Sequence, residues 1–369
     1  MSRRKSSTGV STSGSARERR GRQPPVLAIV GGMLGAGKTS LILEAARRVT
    51  ARGLRPAMIT NDQGRGLVDT ELARAAGVHV GEVGGGCFCC RLTDLIRAAD
   101  TLDGVDPDII FAEPVGSCTD LAATVLRPLL CDQPWRFRIA PLTVLVDPVR
   151  ARALARPDAD PDLAFLFRHQ LAEADIVCST KADERIALPA LEDVVSHPVS
   201  ARSGAGVDDW LDHVLGGQVA AGALPLVTLD YRRYAAAEAA LAWLNWHAHL
   251  KCETPVPPAF LAGALADRLE VDLARAGLAI VHVKVLDQAR SGYVRVSLCG
   301  DGRAPTLEGA LDASPDARHQ LLVNARVIGD PEVLSRVVGE CVRAAARDVR
   351  SVLREAFRPA PPRPERRVG

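Results

Sequence analysis

The sequence predicts an α/β chain: a mostly parallel sheet with helices on both faces, followed by a smaller C-terminal α+β domain. Three observations predict it. Short β-rich apolar runs alternate with segments of helical Leu, Ile and Ala spacing through residues 26–179, as strands and crossover helices do. A Gly-rich segment at 216–222 closes that half, and beyond it the strands and helices are no longer interleaved. The length, 369 residues, allows two domains at about 150 residues each. A 47% hydrophobic composition provides for sizeable cores.

In chain order, residues 1–24 are Ser, Gly and Arg, which cannot bury enough apolar surface to offset chain entropy, so a disordered basic tail is expected. They contain no apolar h-region of a secretory signal. Buried strands are expected at 26–30, 57–60, 79–83, 109–112, 142–146 and 176–179, with helices such as 40–50 and 163–174 between them, giving a first domain over 25–220. The second domain, 224–357, is expected to open with residues 224–230. An alanine-rich helix at 234–250 then turns Leu241, Trp243, Leu244, His247 and Leu250 toward a core, with His247 and His249 on different faces. A hairpin of 279–286 and 293–298, a strand at 321–328 and a helix from Pro331 to Phe357 complete it. Residues 358–369, with four prolines among arginines, predict a disordered, solvated tail.

The formal charge is +2, but the basic residues crowd into the two tails, and the mildly acidic body argues against a nucleic-acid binder. No apolar run approaches the roughly 18 residues that span a bilayer. Nine sparse cysteines, an odd number, fit reduced thiols in a cytoplasmic protein.

After the first strand, residues 32–39 read G-M-L-G-A-G-K-T, the G-x-x-x-x-G-K-[ST] pattern between a strand and a helix that marks a phosphate-binding loop. Gly32, Gly35, Ala36 and Gly37 let backbone N–H groups turn toward phosphates, and Ser40 continues the cradle. Lys38 would neutralise β- and γ-phosphates and the Thr39 hydroxyl would take a Mg²⁺ position. Glu113, ending the 109–112 strand, is the second Mg²⁺ candidate, and the Gly116 N–H could sense the γ-phosphate. Thr180, Lys181 and Asp183 form a T-K-x-D close to the guanine-reading N-K-x-D. Asp183 would accept from guanine N1–H and the 2-amino group, Lys181 would cover the ring, and Ser200 and Ala201 could offer an N–H to O6. Only five lysines stand beside 41 arginines, and Lys38 and Lys181 are two of them.

Cys87, Cys89 and Cys90 form a C-x-C-C on a Gly-rich turn, and three close thiols suit a soft tetrahedral ion such as Zn²⁺ or Cu⁺ rather than Mg²⁺. Packing thiols or a redox pair are the competing readings. Cys118, Cys131, Cys178, Cys252, Cys299 and Cys341 are scattered and read as packing residues.

The order of these motifs, with Asn61-Asp62-Gln63-Gly64 between the phosphate loop and the cysteines, resembles the CobW family of metal-handling P-loop GTPases. The resemblance covers about residues 25–215 closely and 224–355 loosely. It implies a GTPase that uses nucleotide state to bind a transition metal and deliver it to a client metalloprotein, with cofactors GTP, Mg²⁺ and Zn²⁺ (or Co²⁺ or Fe²⁺). It further implies that residues 61–64 are a switch, with Asp62 in place of a usual Glu and Gln63 in place of an aromatic residue. Lys38, Asp62, Gln63 and Glu113 are then the expected catalytic set. Nucleic acid and membrane are not expected partners. A small-molecule kinase and a non-hydrolysing metal-binding adaptor are the alternative functions.

Overall fold

The computed structural model describes residues 23–189, 195–217 and 226–369. The expected N-terminal disorder through residue 22, the glycine segment at 218–222 and the start of the expected strand at 224–225 lie outside these residues. The remainder of that expected strand, 226–230, has no regular structure.

In the first domain β1 (Val26–Gly32), α1 (Lys38–Ala51), β2 (Pro56–Asn61), α2 (Val68–Ala75), β3 (His79–Val83), α3 (Leu92–Thr101) and β4 (Ile109–Glu113) follow in turn. After them come α4 (Arg127–Asp132), β5 (Arg138–Ile139), β6 (Thr143–Val146), α5 (Pro148–Leu154), α6 (Pro161–Ala172), β7 (Ile176–Ser179), β8 (Ser196–Pro198) and α7 (Val207–Gly216). The sheet order is β3-β2-β4-β1-β6-β7-β8, parallel throughout, with β5 beside β1. Every residue of β1 and β4 is buried, which explains their continuous apolar runs: helices cover both faces of a parallel sheet. On one face Leu41, Ile42 and Val49 of α1 pack with Trp210 and Leu211 of α7, and Phe111 stacks on Trp210 at 6.2 Å. The topology brings the carboxyl ends of β1, β2 and β4 side by side, the edge where open α/β sheets bind ligands.

The second domain contains α8 (Tyr231–Ala239), β9 (Leu241–Val256), α9 (Pro258–Arg275), β10 (Ala279–Ala289), β11 (Gly292–Leu298), β12 (Thr306–Gly309), β13 (Asp316–Ile328), α10 (Pro331–Ala345) and β14 (Asp348–Phe357). Its antiparallel sheet runs β12-β11-β10-β13-β9-β14. The expected helix at 234–250 is therefore helical only through Ala239. Residues from Leu241 are a strand buried on both faces: Ala242, Leu244 and Trp246 pack in the second domain's own core, whereas Leu241 and Trp243 pack against the first domain. Two buried faces erase the period-2 alternation that announces a strand. His247 and His249, two residues apart on this strand, share a face, with ring centroids 5.5 Å apart. The expected helix 331–357 stops at Ala345, and 348–357 form an edge strand on β9.

The alternation of β10, β11 and β13 gives this sheet two characters. Val283, Val285, Val294, Val296, Val323 and Ala325 enter the core with α9 and α10. Lys284, Arg295, Ser297, Asn324 and Arg326, at the intervening positions, face the first domain. Residues 358–369 are not the solvated tail expected. They run without regular structure against the first domain, where Glu365 N–H donates to the Cys89 carbonyl at 3.1 Å and Arg366 pairs with Asp132 at 2.9 Å. Prolines exclude helix and ladder there, but the arginines and intervening N–H groups still find partners.

Among the described residues no helix is long and apolar enough to cross a membrane. Because Phe111 is fully buried between β1 and Trp210, Phe111→Ala should cost about 3–5 kcal/mol, read as a lowered midpoint in denaturant unfolding.

Candidate nucleotide and metal site

The phosphate loop leaves β1 at Gly32, whose φ of 128° and closeness to the Leu145 carbonyl exclude a side chain. Lys38 starts α1 with its Nζ donating to the Gly32 carbonyl at 2.9 Å, and burial lowers its pKa. Thr39 Oγ1 lies 3.1 Å from Glu113 Oε1 and 2.8 Å from Asp69 Oδ1 on α2. Burial first, then the negative charge of Asp69, push the Glu113 carboxyl up to about 7. Burial works against ionisation of Asp69 as well, yet the Lys284 ammonium outweighs it and holds that carboxyl below its usual range. Lys284 Nζ contacts both Asp69 oxygens, at 2.5 and 2.6 Å. Glu113 Oε2 is buried with no hydrogen-bond partner. An orphaned carboxylate oxygen beside a P-loop hydroxyl fits Mg²⁺, so Thr39, Glu113 and Asp69 are the residues that would hold it.

A cleft joins this corner to the base-side loops and is roofed by the second domain. It is lined by the loop from Gly35 to Ser40, by Gly116, by Thr180, Lys181 and Asp183, and by Ser200 and Ala201. These expected nucleotide residues are thus brought together although they come from four segments. Thr180 Oγ1 donates to the Val146 carbonyl at 3.3 Å, Lys181 pairs with Asp147 at 2.8 Å, and Asp183 accepts from Ser200 Oγ at 2.6 Å. From above come Lys284, Arg295 and Arg326, and Arg295 Nη2 reaches Ser40 Oγ at 2.8 Å. Asp62 lines the cleft, but its carboxylate is taken by Arg326 at 2.6 Å and by the Gly64 N–H at 2.9 Å. Gln63 does not line the cleft.

Asp69 and Lys284 were not identified from sequence. Asp69 sits in an ordinary amphipathic helix, and Lys284 in a strand of the other domain. The one available signal was the scarcity of lysine, since Lys38, Lys181 and Lys284 all line the cleft.

The cysteine turn follows β3. Cys87 and Cys89 are buried, with sulfurs 2.7 Å apart, and Cys90 is half-buried, its sulfur 3.5 and 3.6 Å from theirs. Cys118, read from sequence as a packing residue, lies within 4.8 Å of both Cys87 and Cys89. The neighbouring Cys87 and Cys89 thiols bring Cys118 down to about 6, and the same contacts raise Cys89. Asn61 ties this turn to the switch region: its amide donates to the carbonyls of Val83 and Gly86 at 3.0 and 2.7 Å. Its oxygen accepts from the N–H groups of Phe88 at 3.0 Å and Val115 at 3.4 Å.

Fold and cleft define a P-loop nucleotide-binding protein with a thiol cluster beside the loops that follow β2 and β4. Residues 26–200 match the family model described as CobW/HypB/UreG, nucleotide-binding domain. The chain is 28% identical over 170 residues to the zinc chaperone YjiA of Escherichia coli, covering 43% of this chain and 50% of YjiA. It is 31% identical over 157 residues to the zinc chaperone YeiR of the same organism, covering 42% and 46%. The chain therefore aligns with about half the length of these curated relatives. Among solved structures, HypB from Helicobacter pylori in complex with nickel matches at 16% identity with a TM-score of 0.39, covering 52% of this chain and 86% of that one. Zn(II)-bound YjiA GTPase from E. coli matches at 15% identity with a TM-score of 0.32, covering 88% and 99%.

Lys284→Ala strands the buried Asp69 carboxylate without its cation, which should cost the nucleotide-free protein about 3–5 kcal/mol in chemical unfolding. Saturating Mg²⁺ and GTP analogue should restore part of that loss; equal loss with and without them would contradict the placement of Asp69. Glu173 supplies a pH dependence. Burial pushes its carboxyl up to about 8 while it accepts from Thr119 Oγ1 and the Ala122 N–H. The folded state therefore keeps a proton that the unfolded chain releases near pH 4.5, so stability is full below that value and falls as pH rises through about 8. Glu173→Gln should flatten this decline in a series of thermal or urea melts.

Proposed function

We propose that the chain is a GTP-hydrolysing metallochaperone that couples nucleotide state to the binding and delivery of a transition metal. Zn²⁺ is the first candidate and Co²⁺ or Fe²⁺ the next. The observation that carries this reading is Asn61, whose one buried side chain is hydrogen-bonded both to the cysteine turn and to the loop between Glu113 and Gly116. A change at the γ-phosphate that shifts either loop must therefore be felt by the thiols. The T-K-x-D loop supports guanine, because Asp183 supplies an acceptor that matches the guanine N1–H and 2-amino donors. The two zinc chaperones among the relatives support zinc as cargo.

In this reading Mg²⁺ held by Thr39, Glu113 and Asp69 would neutralise charge on the β- and γ-phosphate oxygens. Lys38 leaves the Gly32 carbonyl to meet the same phosphates, and Lys284 and Arg295 approach them from the second domain. Arg326 releases Asp62, freeing the 61–64 loop to order around the nucleotide. Preorganised cations of this kind stabilise charge that develops in phosphoryl transfer. The released cargo passes to a client metalloprotein.

The test is a Zn²⁺ titration of the full chain with GTP analogue, GDP or ATP analogue. Wild-type affinity should differ between GTP analogue and GDP and be insensitive to ATP analogue; identical affinities would refute the coupling. Lys38→Ala should lose GTP turnover by at least about a hundredfold. Asn61→Ala should retain both ligands while losing most of the difference in zinc affinity between nucleotide states.

A further inference from the structure

The motif C-x-C-C accounts for three thiols, but the fold delivers a fourth. Cys118 comes from the loop after β4, which contributes nothing to the cysteine turn in sequence, yet its sulfur joins those of Cys87 and Cys89 within 4.8 Å. All three side chains are buried, and all nine cysteines of the chain are free thiols. Four sulfurs bound to one zinc at about 2.3 Å stand about 3.8 Å apart, edge to edge of the tetrahedron. The spacings of 3.5 and 3.6 Å from Cys90 to Cys87 and Cys89 are close to that figure.

The surroundings of the cluster are buried and polar. Glu238 on α8 is 2% exposed, and neither of its carboxylate oxygens meets a donor at hydrogen-bonding geometry, although the Ser117 and Tyr234 hydroxyls lie nearby. It interacts electrostatically with Cys118 and Cys90. One turn earlier on the same helix, the Tyr234 hydroxyl accepts from the Thr119 N–H at 3.3 Å. The exposed side of the cluster is closed by the C-terminal segment, where the Arg363 N–H donates to Cys90 Sγ at 3.0 Å.

We propose that Cys118 is a metal ligand, completing with Cys87, Cys89 and Cys90 an all-sulfur site for a thiophilic cation, and that nucleotide state acts on the cargo through this fourth thiolate. This rests on the metal-handling reading above. Each metal–sulfur bond forms as a thiol proton leaves to solvent, and no electrons are transferred. Cys118 is suited to the second role by position. It lies two residues beyond Gly116 and five beyond Glu113, in one loop whose carbonyls at Gly116 and Cys118 are both held by Gln170 Nε2, at 3.0 and 2.9 Å. The other three sulfurs sit together on one turn, so Cys118 is the single ligand whose position the nucleotide loop sets directly.

The experiment uses the full chain loaded with Zn²⁺. X-ray absorption of the wild type should show a shell of four sulfurs near 2.3 Å, and Cys118→Ser should show three. In competition titrations Cys118→Ser should weaken zinc binding at least tenfold and remove the difference between GTP analogue and GDP. Cys131→Ser, at an exposed cysteine outside the cluster, should change neither. A wild-type shell of fewer than four sulfurs overturns the proposal even if the variant fails to fold, as does a Cys118→Ser protein with unchanged shell and affinity. If the wild type binds zinc through three sulfurs with nucleotide-dependent affinity, Cys118 falls and the proposed function stands. If it binds no thiophilic metal, both fall.

Discussion

The contact on which the cleft depends is the buried pair of Lys284 with Asp69. Three carboxylates, Asp62, Asp69 and Glu113, converge where the phosphate loop also brings the buried ammonium of Lys38. Carboxylates removed from water must be paired, protonated or metal-bound, and this site shows the first two answers and leaves an oxygen for the third. Arg326 pairs with Asp62, Lys284 pairs with Asp69, and Glu113 is pushed up to about 7, with one oxygen left for a cation. The cations that neutralise these carboxylates thus come mostly from the second domain. Mg²⁺ would be held by Thr39, Glu113 and Asp69, and Lys284 and Arg295 would face the phosphates from the second domain. The second domain is in this sense part of the nucleotide site rather than an appendage to it.

The sheet of that domain shows how such a role is built. An antiparallel sheet ordinarily packs one face and wets the other. Here the polar face of β10, β11 and β13 meets the first domain instead of water, so alternation within the strands places Lys284, Arg295 and Arg326 over the cleft of the phosphate loop. Anchors outside the cleft fix the approach. Val68 and Leu72 of α2 pack with Leu286 and Leu322, and Arg150 of α5 donates to the carbonyls of Val281 and Cys299 at 2.8 and 2.6 Å. Because α2 also carries Asp69, the helix that brings a carboxylate to Thr39 is the one the second domain grips.

What could be read from sequence follows the range of the physics. The phosphate loop was legible because its chemistry is local: Gly32 must take a φ that only glycine tolerates, and Lys38 and Thr39 lie within the next two turns. The parallel strands were legible because burial on both faces makes them short apolar blocks. The same double burial hid β9, where Ala235 to Ala240 favour a helix that the Trp- and Leu-rich continuation was read as extending. Residues whose meaning depends on contacts distant in sequence carried no signal. Cys118 gains its neighbours from a turn some thirty residues away, and Lys284 meets Asp69 across a separation of 215. The C-terminal arginines read as a solvated tail because their partners, Asp120 and Asp132, lie in the other domain.

The magnitudes favour a coupling that loosens one ligand rather than dismantling the site. A structural zinc site contributes about 10–16 kcal/mol, or roughly 2.5–4 for each of four ligands. Coupling between sites in one protein is typically about 1–3 kcal/mol. Complete loss of the Cys118 bond would therefore lie at or above the top of the coupling range, whereas lengthening it by a shift of the loop beyond Gly116 falls within it. Linkage makes the effect reciprocal: metal that draws Cys118 toward Cys87 and Cys89 also biases the Glu113–Gly116 turn toward one nucleotide state. Asn61 adds a restraint from the other side, since its oxygen holds Val115 and Phe88 together, and the cysteine turn cannot move away from the switch loop without breaking a buried hydrogen bond. A thiol on the nucleotide loop and an amide bridging the two loops thus act in the same direction. The metal site and the phosphate site are then two ends of one short, stiff piece of backbone.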